Sequence, residues 1–174
     1  MYIINKLVHF QFTESIHMKT KRILLSTVLS GALSFALLSL SPLASADTCS
    51  LNVNVTPAMA FTVKSIDVPK SCKEFTINLK NEGTMAKAMM GHNLVITKTA
   101  DQAGVLEDGN KAGLASNYVK AGDARVVVAT NVIGGGESTS AKFKTSKMNA
   151  TDSYVFFCSF PGHAMVMKGV AKLM

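Results

Sequence analysis

Cys158-Ser159-Phe160-Pro161-Gly162-His163-Ala164-Met165-Val166-Met167 is the stretch of this 174-residue chain that brings a thiol, an imidazole and a thioether within ten residues. Before it, residues 154–157 form an apolar run typical of a buried strand, and within it Pro161 and Gly162 indicate a turn. The chain therefore reverses direction between Cys158 and His163, which brings these two side chains to one point. Met167 falls where the next strand begins, on the other side of the same point.

A second imidazole completes this set of donors. After residue 46 the chain has only two histidines, His163 and His92, and His92 stands at the start of a predicted strand. Two imidazoles and a thiolate in a trigonal array, with a weak axial thioether, are the blue-copper arrangement. Soft sulfur suits Cu(I) and imidazole suits both oxidation states, so one geometry serves both. We therefore predict one copper ion held by His92, Cys158, His163 and Met167.

Other interpretations of these residues stay open at the level of sequence. Met165 can replace Met167 as the axial ligand by composition, and only the spacing favours Met167. A single cysteine after an apolar strand is usually a small buried side chain, and a single methionine is usually core filler. Zinc also binds a thiolate with two imidazoles. No Asp or Glu follows Ser153, so a hydrolytic zinc site or a cysteine nucleophile would lack a nearby carboxylate, and we expect no enzyme.

The first quarter of the chain is typical of an exported protein. A basic start at residues 19–22, an apolar run over residues 23–40 and the small residues Ala44-Ser45-Ala46 predict a secretory signal peptide. We expect initiation at Met18, cleavage after Ala46, and one mature domain over residues 47–174 in the periplasm. A transmembrane anchor is the alternative, because the apolar run is near the length that spans a bilayer.

The mature segment is only weakly basic. Four of the 18 basic residues and one of the 11 acidic residues precede Asp47, so residues 47–174 carry a net charge of +4. The lysines are scattered and form no cluster interleaved with aromatic residues. We therefore expect neither nucleic-acid binding nor a membrane segment once the signal peptide is removed.

All three cysteines lie in the exported part, where an oxidising compartment favours pairing of thiols. Cys49 and Cys72 lie near its beginning, whereas Cys158 lies among the predicted metal ligands. We predict a Cys49–Cys72 disulfide, which stabilises the fold by roughly 3 kcal/mol in the chain-entropy model. Two buried free thiols are the alternative.

Alternation of apolar and polar residues predicts about eight short strands, typical of an antiparallel sandwich or barrel. These strands span residues 51–55, 61–64, 75–80, 94–97, 125–128, 141–144, 154–157 and 169–173. Residues 100–118 differ, because their mixture of Ala, Leu, Glu, Lys and Gly predicts a short helical insertion. Thr99 and Gln102 match a capping box, with Thr99 as the N-cap.

Three motifs resemble those of the azurins, a branch of the blue-copper cupredoxin family. They are Met90-Gly91-His92-Asn93, residues 156–163 and Met167-Lys168-Gly169, and the likeness runs from Cys49 to the end of the chain. It implies an all-β, eight-stranded Greek-key cupredoxin sandwich, a plastocyanin-like copper-binding domain over residues 47–174, closed by the Cys49–Cys72 disulfide. It also implies that the Gly91 carbonyl approaches copper opposite Met167. Asn93 and Phe160 would surround the ligands, with Asn93 joining the two ligand loops by hydrogen bonds.

The same resemblance implies a periplasmic protein that shuttles single electrons between redox proteins. Its partners would bind transiently, as c-type cytochromes or periplasmic oxidoreductases do, and the carrier would be a monomer. The apolar residues expected to surround His163, here called the docking patch, are Met59, Met85, Met89, Met90, Phe160, Pro161 and Ala164. The alternative is a copper-binding or copper-delivery protein without electron transfer. Such proteins usually use Met- or His-rich motifs without a fixed thiolate, so Cys158 favours the carrier.

Overall fold

The computed structural model describes residues 48–174. The expected start at Met18, the signal peptide and its cleavage after Ala46 all lie outside the described residues. Within the part of the chain that is described, no helix is both long enough and apolar enough to cross a membrane.

The described residues form nine strands and two helices. The strands are β1 (Ser50–Thr56), β2 (Ala60–Phe61), β3 (Ser65–Val68), β4 (Glu74–Asn81), β5 (Val95–Lys98), β6 (Val126–Ala129), β7 (Ser138–Lys144), β8 (Tyr154–Phe157) and β9 (Lys168–Leu173). The helices are α1 (Lys87–Met90) and α2 (Gln102–Ala112), and short 3-10 turns cover Thr99–Asp101, Leu114–Ser116, Thr145–Lys147 and His163–Met165. Eight of these strands have four or more residues, in agreement with the predicted number.

Two sheets pack face to face around one core. The first contains β2, β1, β4 and β7 in spatial order, and the second contains β3, β9, β8, β5 and β6. In β4, Phe75, Ile77 and Leu79 are buried while the residues between them are more exposed, as expected for a strand with one face against a core. The ring of Phe61, from the first sheet, lies 5.5 Å from that of Phe156 in the second. The predicted β-sandwich is confirmed.

Two strand pairs differ from the antiparallel arrangement predicted from the sequence. The pairs β1·β4 and β3·β9 are parallel. In both cases the chain visits the other sheet between the two partners, so the second strand re-enters without the reversal that a hairpin imposes. The strand predicted over residues 61–64 is also wrong. β2 ends at Phe61, and the alternating strand that follows is β3, in which Ile66 and Val68 are buried.

The helical insertion predicted around residues 100–118 is present as α2 and its flanking 3-10 turns. The capping box is not. Thr99 begins a 3-10 turn rather than capping a helix, and neither this turn nor α2 has a side-chain hydrogen bond at its N-cap. One ion pair ties the insertion to the segment before β6: Arg125 Nη2 lies 2.7 Å from Asp108 Oδ2 of α2.

The helix α2 covers the outer face of the second sheet. Val105 of α2 belongs to a buried cluster with Val95, Val155 and Phe157, whereas Phe156 points into the sandwich core. The strand β8 is therefore buried on both faces. This explains why it reads as a continuous apolar run, and it places the residue that follows, Cys158, deep inside the protein.

The predicted disulfide is confirmed: Cys49 and Cys72 are bonded, with their Cα atoms 5.6 Å apart. The bond joins the start of β1 to the segment that precedes β4. We expect the double variant Cys49→Ala/Cys72→Ala to lose roughly 3 kcal/mol of unfolding free energy. The disulfide joins residues 23 positions apart, and without it the unfolded chain is less restricted. Urea denaturation of the copper-free protein measures the loss. A change below about 1 kcal/mol would contradict this account.

Candidate metal centre

The central strand β8 and its two neighbours bring the predicted ligands to one end of the second sheet, where β8 finishes. Phe157, the last residue of β8, pairs with Val95 at the start of β5 and with Lys168 at the start of β9. Both neighbours are antiparallel to β8, so they begin where β8 ends. Cys158, the segment before β5 and Met167 must therefore lie together.

His92 is held just before β5 by a two-way bridge to a distant segment. Its backbone N–H donates to the Ile133 carbonyl at 3.0 Å, and the Ile133 N–H donates to the His92 carbonyl at 2.9 Å. On the other side of the site, Gly162 adopts a positive φ of 82°. This conformation, which costs glycine little, leads the chain into the 3-10 turn that begins at His163.

The donor atoms of His92, Cys158 and His163 converge within 4.8 Å of one another. Cys158 Sγ lies 3.6 Å from His163 Nδ1 and 3.9 Å from His92 Nδ1. Two donors that bind one ion at about 2.0–2.3 Å, with an angle of about 120° between them, lie about 3.8 Å apart. One thiolate and two imidazoles thus fit a single metal ion in a trigonal array, so the residues present suit copper.

The four predicted ligands are all buried. Cys158 and Met167 are fully inaccessible, and His92 and His163 retain only 2% and 7% of their surface. His163 is thus only slightly more exposed than His92, because the ring of Phe160 lies against it with centroids 4.7 Å apart. The alternative axial ligand, Met165, is 81% exposed, which disfavours it.

Met167 is tied by its backbone to both neighbouring donors. Its carbonyl accepts from the Cys158 N–H at 3.0 Å, and its N–H donates to the His163 carbonyl at 2.8 Å. The thiol, the imidazole and the thioether predicted from one short stretch therefore belong to one hydrogen-bonded loop.

Gly91 allows the His92 segment to pack closely against this loop. A Cβ at residue 91 would lie 2.5 Å from the Lys87 carbonyl oxygen and from Val132 Cγ1, and 3.2 Å from Phe160 Cδ2. The φ of Gly91 is −78°, so the need for glycine here is one of space rather than of backbone conformation.

Asn93 joins the two ligand segments. Its Oδ1 accepts a hydrogen bond from the Ser159 N–H at 2.8 Å, and its Nδ2 donates to Ser159 Oγ at 2.8 Å and to the Asn117 carbonyl at 2.9 Å. Asn93 follows His92, and Ser159 follows Cys158. The spacing of these two donors is therefore set by buried hydrogen bonds that involve no metal.

Burial controls the protonation of the three donors. It raises the pKa of the Cys158 thiol to about 11. Burial, and secondarily the charge of His163, lowers the pKa of His92 to about 4, and burial lowers the pKa of His163 as well. Near neutral pH both imidazoles keep their lone pairs free, while the thiol keeps its proton until a bound cation replaces it.

The predicted docking patch is exposed only in part. Met85, Met89 and Pro161 are exposed, Met59, Met90 and Ala164 are half-buried, and Phe160 is buried. Two exposed apolar residues between His163 and Met167, namely Met165 and Val166, were not predicted to be part of the patch. The signal in the sequence is their position, because both residues lie between the predicted ligands His163 and Met167.

A β-sandwich with two imidazoles and one thiolate gathered at the end of a central strand defines a metalloprotein of the blue-copper type. The family model "Copper binding proteins, plastocyanin/azurin family" matches residues 47–174, and the chain belongs to this family.

Individual relatives agree. The chain is 57% identical over 125 residues to Azurin-2 of Alcaligenes xylosoxydans xylosoxydans, covering 72% of this chain and 97% of that protein. It is 54% identical over 125 residues to the azurin of Bordetella pertussis, covering 72% and 83%. Among solved structures, an azurin (Az-iso2) of Methylomonas sp. strain J matches with a TM-score of 0.70 and 45% identity, over 73% of this chain and 98% of that one. The protein is a blue-copper electron-transfer protein, as the sequence predicts.

Proposed function

We propose that the protein is a periplasmic carrier of single electrons and that residues 47–174 are its mature form. In this proposal His92, Cys158, His163 and Met167 would hold one copper ion, and the Gly91 carbonyl would lie close to it. The observation that carries it is the convergence of one thiol and two imidazoles, with sulfur–nitrogen distances of 3.6 and 3.9 Å, in a fully buried site.

Copper, when bound, changes between Cu(I) and Cu(II) and supplies the one-electron chemistry. The chain's own residues keep the site the same in both states. Asn93 and Ser159 fix the distance between the His92 and Cys158 segments, and the backbone bonds of Met167 fix the loop. Because these bonds do not depend on the metal, a change of charge needs little rearrangement, which favours rapid electron transfer.

The face around His163 suits brief contact with another redox protein. Met85, Met89 and Pro161 are exposed there, together with Met165 and Val166. These residues adjoin the proposed ligands, because Met85 lines a cavity with His92, and Pro161 and Met165 each lie two residues from His163 in the chain. Exposed apolar residues of this kind mark interaction sites. We propose that partners such as c-type cytochromes dock here and that the carrier itself is a monomer.

The test begins with the copper-loaded protein, which should be intensely blue and should exchange electrons between its oxidised and reduced forms. Met89→Lys should then slow self-exchange about 10-fold at low ionic strength, because two like charges meet and must be desolvated. The absorption spectrum should not change, since Met89 is not a ligand.

Met174→Lys is the matched control. Met89 and Met174 have similar exposure, 68% and 61%, but Met174 ends the chain beyond β9, at the opposite end of that strand from Met167. The control should exchange electrons as fast as the unchanged protein. Equal rates in both variants would contradict electron exit through this face, and a colourless copper complex would contradict the carrier function itself.

A further inference from the structure

A row of three rings connects the helical insertion to a proposed copper ligand. The ring of Tyr118 meets that of Phe160 edge-on, with centroids 5.2 Å apart. The Phe160 ring lies 4.7 Å from the imidazole of His163. Tyr118 belongs to the segment after α2 and is half-buried against the sandwich core. One intermediate ring therefore separates this segment from the ligand.

The backbone that presents Tyr118 is unusual. Asn117 and Tyr118 both adopt left-handed conformations, with φ of 55° and 52°. Asparagine tolerates this region, but for tyrosine the Cβ approaches the carbonyl oxygen too closely. A residue of this kind keeps such a conformation only when the surrounding contacts enforce it.

Four contacts enforce it here. Asn117 Oδ1 accepts from the Val132 N–H at 2.8 Å, and the Asn117 carbonyl accepts from Asn93 Nδ2 at 2.9 Å. The Tyr118 N–H donates to the Gly113 carbonyl at 2.9 Å. Gly109 of α2 lies directly against the Tyr118 carbonyl oxygen, which would overlap any Cβ at residue 109.

These contacts and the row of rings connect Tyr118 to the segments of His92, Cys158 and His163. Asn93 follows His92 in the chain and also binds Ser159, which follows Cys158. His163 is reached through Phe160. The left-handed pair is thus hydrogen-bonded to the His92 segment at Asn93 and, through Asn93, to the Cys158 segment. It contacts the His163 segment through the edge-on pair of Tyr118 and Phe160.

We propose that Tyr118 is a positioning residue for copper, which fixes the Phe160 ring and through it the orientation of the His163 imidazole. The inference rests on the proposed function, because an orientation shared by both oxidation states matters only in an electron carrier. It also gives the helical insertion a role: α2 and the turn after it hold the least buried of the proposed copper ligands from outside the sandwich.

Three substitutions at residue 118 distinguish the effect of the aromatic ring from that of the left-handed backbone. Tyr118→Leu removes the ring, Tyr118→Gly removes the ring but suits the left-handed backbone, and Tyr118→Phe keeps the ring. We expect Leu and Gly to lower copper affinity about 10-fold, as loss of an outer partner of a ligand does, and to slow self-exchange. Phe should retain both. If backbone strain were the only effect, Gly would match or exceed the unchanged protein.

A second measurement needs no copper. In the copper-free protein, the nitrogen resonances of His163 should broaden in Tyr118→Leu and stay sharp in Tyr118→Phe, because the unsupported imidazole samples more orientations. Phe143→Leu is the matched control, since it breaks the Phe75–Phe143 ring pair at the far end of β4. It should leave the His163 resonances sharp.

The possible outcomes separate this inference from the proposed function. Thermal unfolding first verifies that each variant is folded. If Tyr118→Leu keeps sharp His163 resonances and full copper affinity while the unchanged protein is blue and exchanges electrons, the positioning role is wrong and the carrier function stands. If the unchanged protein is not blue, both fail.

Discussion

We expect replacement of Cys158 with serine to abolish the visible colour of the copper-loaded protein. The intense absorption of such a site comes from charge transfer between a thiolate sulfur and Cu(II), and Cys158 is the free cysteine among the described residues. A serine oxygen is a harder donor and holds its proton more tightly, so it cannot replace the soft ligand. Copper affinity should fall by more than the roughly 10–100-fold that loss of an outer partner costs. Absorption spectroscopy and copper titration measure the two effects.

Replacing both disulfide cysteines with serine provides the control for this substitution. Cys49→Ser/Cys72→Ser removes two sulfur atoms from the other end of the molecule and should stay fully blue despite its lower unfolding free energy. Survival of the colour in Cys158→Ser would show that the wrong thiol has been assigned.

We expect Met167→Leu to raise the reduction potential and to leave the protein blue. The axial thioether donates weakly and stabilises Cu(II) more than Cu(I), so an apolar replacement of similar volume favours the reduced state. A ten-fold loss of preference for Cu(II) corresponds to about 59 mV for a one-electron couple, and we expect a rise of at least this size in voltammetry.

Met165→Leu is the natural comparison, because it makes the same change two residues away on a side chain that is 81% exposed. It should leave the potential where it was. An unchanged or lower potential in Met167→Leu would remove Met167 from the ligand set.

The parts of the site that lie close together in the sequence were predictable from it. Cys158, His163 and Met167 occupy one ten-residue stretch, and an apolar strand followed by Pro-Gly is enough to predict that the thiol and the imidazole meet. His92 could be added because few histidines compete with it. The strand β8 was equally clear, since burial on both faces leaves an uninterrupted apolar run.

What the sequence could not supply depends on contacts between distant residues. The parallel pairing of β1 with β4 follows from the route of the chain through the other sheet, which no local pattern records. Thr99 and Gln102 match a capping box, but Thr99 begins a 3-10 turn, and α2 begins only at Gln102 and packs on the sheet through Val105. The link from Tyr118 to Phe160 spans 42 positions and has no signature in either segment.

The disulfide and the copper ligands lie at opposite ends of the same sandwich. Cys49 and Cys72 tie the chain where β1 and β4 begin, and the ligand set ties it where β8 ends and β9 begins. The disulfide is permanent in an oxidising compartment, whereas the link through the ligand set exists only while the metal is bound. The hydrogen bonds of Asn93 and the backbone bonds of Met167 still hold the ligand end together when copper is lost, and the disulfide holds the other end. The copper-free protein can therefore bind a new ion without refolding.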